Sequence, residues 1–237
     1  MRTTRIIKLS GENYKKAIET SMAFLKKGET IVVPTDTIYG LACDALNEKA
    51  IEKLLKIKER DRQKGLPIFV NSIEMARRLA YIDKKKEEFL RRIWNSDLLR
   101  PGLDIKRPGL DDTAVGKITV ALYAKDVIPK IATGGRETVA LRMPDYKFIL
   151  DLITALGRPI TGTSANISGN KPINSATEAA KQWKSKKNAP ALIVDGGEII
   201  NNEPSTIVDI TGPSPIILRS GIVTKKELDN FFRRAYI

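Results

Sequence analysis

The chain has 237 residues, 42% apolar and 29% charged, with a formal net charge of +13. It contains no histidine and one cysteine, Cys43, which excludes a Ser–His or Cys–His catalytic pair, histidine-ligated zinc and an intrachain disulfide. The length allows one large domain or two small ones, and no apolar run approaches the roughly 20 residues of a membrane helix.

Helical and strand patterns alternate along the chain. Met1 to Lys8 reads as a strand without an apolar signal core, so a cytoplasmic protein is expected. Tyr14 to Lys27 has helical spacing through Ala17, Ile18, Met22 and Leu25, with Ser10 as candidate N-cap and Gly28 as stop. Thr30 to Val33 is a short strand. Asn47 caps a helix running toward Lys58. Pro67 to Val70 is a strand, Ser72 caps a helix to Ala80, and a charged helix covers Asp83 to Trp94. Lys117 to Tyr123 and Thr138 to Leu141 are strands. Asp145 to Leu156 is a helix closed by Gly157. A strand over Arg158 to Thr161 and a helix over Ser175 to Trp183 follow. Strands at Ala191 to Val194, Thr206 to Ile210 and Ile216 to Leu218 precede a terminal helix, Thr224 to Arg234. With no repeat or low-complexity linker, the order predicts one α/β domain over 1–237. Only Asn95 to Gly116 lacks periodicity, as lids and binding loops do.

The excess charge suits an anionic partner such as nucleotide, polyphosphate or RNA, and equally a solvated lysine-rich surface. Five polar segments sit at strand or helix ends. Pro34-Thr35-Asp36-Thr37-Ile38-Tyr39-Gly40-Leu41 follows a strand, where α/β sheets bind ligands, and also fits an ordinary turn. Lys58 and Arg60 face opposite sides of a continuous helix, but both can face one site if the helix ends near Lys58. Thr161 to Gly169 offers hydroxyls and amides to an anion, or is a polar turn; it lacks Walker A spacing. Thr138 to Pro144 ends a buried strand with Arg142, whose partner is a substrate carboxylate or an internal Asp. Ser205 and Arg219 lie at the ends of the last two strands. Each segment is weak alone, but together they point to a shared anion pocket.

In this order and spacing, the Pro34–Leu41 segment, Lys58-x-Arg60, Ser164-x-Asn166, Ser205-Thr206-Ile207-Val208-Asp209 and Leu218-Arg219-Ser220-Gly221 resemble the threonylcarbamoyl-AMP synthase (YrdC/Sua5) family. The match runs from about Gly28 to Gly221. The resemblance implies a twisted, largely parallel sheet with helices on its faces and a basic cavity. It implies synthesis of threonylcarbamoyl-AMP and pyrophosphate from L-threonine, bicarbonate and ATP with Mg2+. The product would serve the t6A modification of tRNA adenosine 37 through a separate tRNA threonylcarbamoyl transferase. By the same resemblance Lys58, Arg60, Ser164 and Asn166 form the nucleotide-binding, catalytic tetrad. Thr35, Arg142 and Ser205 match threonine-binding positions, and Thr138 and Arg219 lie near the nucleotide.

Two departures matter. Family members carry Trp-Pro-Gly-Pro-x-Thr before the central strand, whereas Trp94 is followed by about twenty extra residues, read as a lid near the nucleotide over about 95–116. A histidine common after the Pro67 strand is replaced by Asn71, which puts one threonine contact in question. The short chain resembles the YrdC-like form, without the additional Sua5 domain. The alternatives are a paralogue with another carbamoylation or phosphohydrolase activity, and a non-catalytic RNA-binding or ribosome-associated module using the basic surface.

Overall fold

A computed structural model describes residues 4–94, 116–200 and 203–235. The strands are β1 (Arg5–Lys8), β2 (Ile31–Val33), β3 (Gly40–Ala42), β4 (Ile68–Phe69), β5 (Ile118–Tyr123), β6 (Thr138–Arg142), β7 (Ile160–Thr161), β8 (Thr163–Ser164), β9 (Leu192–Asp195), β10 (Thr206–Asp209) and β11 (Ile216–Arg219). The helices are α1 (Tyr14–Lys26), α2 (Glu48–Lys58), α3 (Ile73–Leu79), α4 (Lys84–Ile93), α5 (Lys130–Thr133), α6 (Lys147–Leu156), α7 (Ala176–Trp183) and α8 (Lys225–Ala235). The inserted segment expected at 95–116 lies outside the described residues apart from Gly116.

The α/β class is as expected, but the architecture differs from one largely parallel sheet. A five-stranded sheet has the order β1-β9-β2-β3-β8, and a six-stranded sheet the order β11-β10-β5-β6-β4-β7. The pairings β1–β9, β2–β9, β5–β10 and β4–β6 are parallel. Those of β2–β3, β3–β8, β4–β7, β5–β6 and β10–β11 are antiparallel. Part of the antiparallel contribution comes from β3 and β8, segments too short for a period-2 signal to reveal; the rest comes from the direction in which the expected strands β7, β5–β6 and β10–β11 pair, which no local pattern states.

The two sheets meet where β7 runs into β8 through Gly162. Thr161 N donates to Cys43 O at 2.9 Å, Cys43 N donates to Thr161 Oγ1 at 3.0 Å, and Gly162 N donates to Pro67 O at 2.8 Å. A Cβ on Gly162 would overlap the Phe69 ring, so only glycine lets the chain pass between sheets at this point.

The caps follow local chemistry. Asn47, Ser72 and Ser175 side chains accept from Ala50, Met75 and Glu178 N–H groups, and Thr224 with Glu227 forms a reciprocal capping box. Ser10 does not cap α1: Asn13 occupies that position without a side-chain cap bond, and Ser10 instead offers its carbonyl to Asn13 N. One continuous apolar cluster runs from Leu25 and Ile31 through Leu54, Trp94 and Leu152 to Phe231. Among the described residues no helix is long and apolar enough to cross a membrane.

Candidate functional site

A cavity of about 610 Å³ opens between the two sheets. Thr138, Ala140 and Arg142 alternate along β6 and point to one face, opposite Ala121 of β5. Ile207 of β10 and Arg219 of β11 extend that floor. The opposite wall comes from the Thr35–Gly40 turn, the turn after α2 and Gly162–Ser164. Of the residues singled out in the sequence, Thr35, Arg60, Thr138, Arg142, Ser164, Ser205 and Arg219 line this space.

Arg142 is only 4% exposed. Its Nε donates to Gly116 O at 2.6 Å, Nη1 to Thr37 Oγ1 at 2.9 Å and Nη2 to Asp36 Oδ1 at 2.6 Å. The buried cation therefore has an internal acid, and its remaining N–H donors are available to the cavity. Burial pushes the Asp36 carboxyl upward, while Arg142 and the Asp145 N–H pull it down. Asp36 is delivered by a turn that Thr35 organises: Thr35 Oγ1 accepts from Thr37 N at 3.1 Å and Ile38 N at 3.2 Å, and donates to Ile38 O at 2.6 Å. Across the floor, Ser205 Oγ and Thr119 Oγ1 lie 2.8 Å apart, and Arg219 Nη2 donates to Ser205 O at 2.6 Å. Burial lowers the Arg219 pKa, and the charges of Arg142 and Arg60 lower it further.

α2 ends at Lys58 because Glu59 turns left-handed (φ 51°), with Arg60 N donating back to Leu55 O at 3.0 Å. This ending sends Lys58 and Arg60 to different places. Arg60 turns to the cavity and ties its guanidinium to Lys64 O and Gly65 O. Lys58 goes inward, 2% exposed, and does not line the cavity. Its ammonium faces Ser164 O (2.6 Å), Ser164 Oγ (3.2 Å), Asn166 O (2.9 Å) and Asn166 Oδ1 (3.1 Å). Burial, then Arg60, pushes the Lys58 pKa down to about 7, although four oxygen acceptors suit the charged form. Asn166 is likewise behind the wall, its amide donating to Ile167 O and Asn170 O. Lys58 and Asn166 thus shape the loop that presents Ser164.

Thr37, Thr163 and Lys64 also join the wall; they lie in the polar segments 34–41, 161–169 and 58–65 that the sequence marks, without an individual role there. Arg136 lines it from outside those segments, and a cation beside Gly135 is its only local signal. Asn71 does not line the cavity and instead donates to Thr154 Oγ1 on α6 at 2.9 Å. Among the described residues no carboxylate lines the cavity, whereas Arg60, Lys64, Arg136, Arg142 and Arg219 all do.

The family described as "Telomere recombination" (Sua5, YciO, YrdC) matches residues 23–221. The chain belongs to the Sua5/YciO/YrdC family. It is 32% identical over 213 residues to the threonylcarbamoyl-AMP synthase of Pyrococcus abyssi, a match covering 90% of this chain and 56% of that protein. The chain therefore spans little more than half the length of that relative. The Vibrio campbellii threonylcarbamoyl-AMP synthase is 32% identical over 206 residues, covering 87% of this chain and all (100%) of the relative. The crystal structure of P. abyssi Sua5 complexed with L-threonine superposes with a TM-score of 0.80 at 31% identity, over 97% of this chain and 60% of that one. Escherichia coli YciO, at 22% identity and a TM-score of 0.72, covers 96% of this chain and 99% of its own, and shares the fold. The chain thus carries its cationic cavity on a shared scaffold.

Proposed function

We propose that this Sua5/YciO/YrdC chain is a threonylcarbamoyl-AMP synthase, a nucleotidyltransferase that converts L-threonine, bicarbonate and ATP to threonylcarbamoyl-AMP, pyrophosphate and water. The observation that carries the reading is a cavity lined by five cations and several hydroxyls but, among the described residues, no carboxylate. Such a lining suits a polyanion together with a small hydroxylated acid.

In this scheme threonine's neutral amine adds to bicarbonate or CO2, giving a carbamate. A carbamate oxygen forms a bond to the α-phosphorus of ATP, and the bond from that phosphorus to the bridging oxygen breaks, releasing pyrophosphate. Both reactants are anions, so the site must screen their repulsion and hold them in line. Arg142, through the donors left by Asp36, Thr37 and Gly116, takes the threonine carboxylate, with Thr35 and Ser205 nearby. Arg60, Thr138, Ser164 and Arg219 face the nucleotide. Lys58 and Asn166 are assigned as positioning residues for the Ser164 loop. Magnesium belongs to the substrate: the lining supplies hydroxyls and cations, and among the described residues no group of three or more His, Cys, Asp or Glu side chains is placed to hold a metal. Oxygens of the triphosphate, together with water, would be its ligands.

The whole chain, as one domain in the cytoplasm, would hand its product to a separate tRNA threonylcarbamoyl transferase for t6A formation, with the basic surface meeting RNA. The test is pyrophosphate release from MgATP by the purified protein, with the nucleotide product identified by mass. Release requiring both threonine and bicarbonate is expected; ATP breakdown indifferent to either would overturn the reading.

A further inference from the structure

Two cationic turns are pressed together at one side of the cavity. Lys64 lies in the turn after α2 and Arg136 in the turn after α5, and both line the cavity beside Arg60. The turns touch through their backbones. Leu66 N donates to Ala132 O at 2.8 Å. A Cβ on Gly65 would stand 2.8 Å from Thr133 O, and one on Gly134 (φ 65°) would overlap the Gln63 carbonyl. Only glycine allows this approach at either place.

The contact holds like charges close. Burial lowers the Arg60 pKa, Asp61 opposes that, and Arg136 lowers it further. Asp61 lies outside the lining and its Oδ1 accepts from Gln63 N at 2.9 Å. Among the described residues neither Lys64 nor Arg136 has a side-chain hydrogen bond or ion pair, and both are exposed at the cavity edge. Asp61 offsets only part of this charge from outside the lining, so cations gathered at the cavity edge are stabilised further by an external anion.

We propose that Lys64 and Arg136 join Arg60 in a clamp for the terminal phosphates of the nucleoside triphosphate and for the inorganic pyrophosphate they become. The assignment rests on the adenylyl-transfer reading above. As the bond from the α-phosphorus to its bridging oxygen breaks, the electron pair stays on pyrophosphate, and the clamp meets the charge that develops there. Threonine and the AMP portion lie outside its reach by this assignment, so their binding should be insensitive to it.

The test is calorimetric titration of inorganic pyrophosphate, and separately of AMP, into wild type, Lys64→Ala, Arg136→Ala and the double variant at low salt. Both side chains are exposed, so melting temperatures should stay near wild type. Pyrophosphate affinity should fall about fivefold in each single variant and about 25-fold in the double, as exposed charge pairs of ~1 kcal/mol imply. AMP affinity should stay within about twofold, and Arg136→Lys should restore much of the loss. Pyrophosphate affinity unchanged in the double variant, or AMP weakened equally, overturns the clamp. The titration needs no turnover. A protein that loses pyrophosphate affinity as expected yet fails the threonine- and bicarbonate-dependent assay keeps the clamp and loses the synthase reading.

Discussion

Arg142 and Lys58 are both buried cations beside the same cavity, and they are held in opposite ways. Arg142 has a carboxylate, Asp36, at 2.6 Å, with Thr37 and a backbone carbonyl taking two further donors. Lys58 has only neutral oxygens, all from Ser164 and Asn166. The first is a charge pair that also faces the ligand space. The second is a bracket behind the wall, whose charge is only partly compensated. The difference teaches that the two cations answer to different perturbations, although both sit at the end of an element and both look like ligand contacts in sequence.

Removing Arg142 should have the largest effect on stability. Arg142→Met strands the buried Asp36 carboxylate, which costs about 3–5 kcal/mol. Adding Asp36→Asn should recover part of that loss in chemical denaturation, and no recovery would break the pairing. The milder Arg142→Lys, which keeps charge but not the fork, should chiefly raise the threonine KM.

Lys58→Met should cost less, about 2 kcal/mol, because it strands neutral oxygens while relieving an incompletely paired charge. Turnover should nonetheless fall at least about 100-fold, since the Ser164 loop loses its bracket. A fall in kcat with threonine KM unchanged separates this role from that of Arg142. The pH dependence sharpens the contrast. The folded pKa of Lys58, about 7, lies below the ordinary lysine value of 10.5 that the unfolded chain keeps, so the folded state gives up its proton first. Wild-type stability relative to Lys58→Met should therefore rise with pH above about 7 and be flat below it. Urea midpoints of the two proteins between pH 6 and 9 check this; the buried Cys43 thiol, pushed up to about 12, is common to both and cancels in the difference.

Gly162→Ala probes the seam shared by both regions. Its methyl would meet the Phe69 ring, over which the Arg142 guanidinium carbon sits at 5.6 Å. A loss of about 1–3 kcal/mol is expected, partly relieved by adding Phe69→Leu. The smallest effect belongs to Glu59→Gly, which removes a left-handed non-glycine residue between Lys58 and Arg60 and should stabilise by about 0.5–1 kcal/mol without changing turnover.

Much of the fold was legible in sequence because it is written over a few residues. Asn47 and Ser72 cap their helices as expected, Ser175 and Thr224 cap the helices whose expected spans they open, and Ser10 does not cap because a turn intervenes before α1. The apolar stretches of β2, β5, β6 and β9 are strands as expected. β3 and β8 are not legible, since Gly40–Ala42 and Thr163–Ser164 are too short for a pattern and become strands only by pairing, β3 with β2 and β8, and β8 with β3.

The sequence by itself determined the elements, the family's segments and the gathering of cations and hydroxyls at their ends, because periodicity, capping and strand-end position are local. Only the tertiary structure decided that Lys58 turns behind the wall while Arg60 enters the cavity, that Asp36 rather than a ligand alone answers Arg142, and that the turn carrying Lys64 packs on the turn carrying Arg136. Those outcomes depend on contacts such as Lys58 with Asn166 and Gly134 with Gln63, between residues far apart in the chain. Which side a buried charge takes is set by where its oxygen partners end up after packing, and no local pattern contains that information.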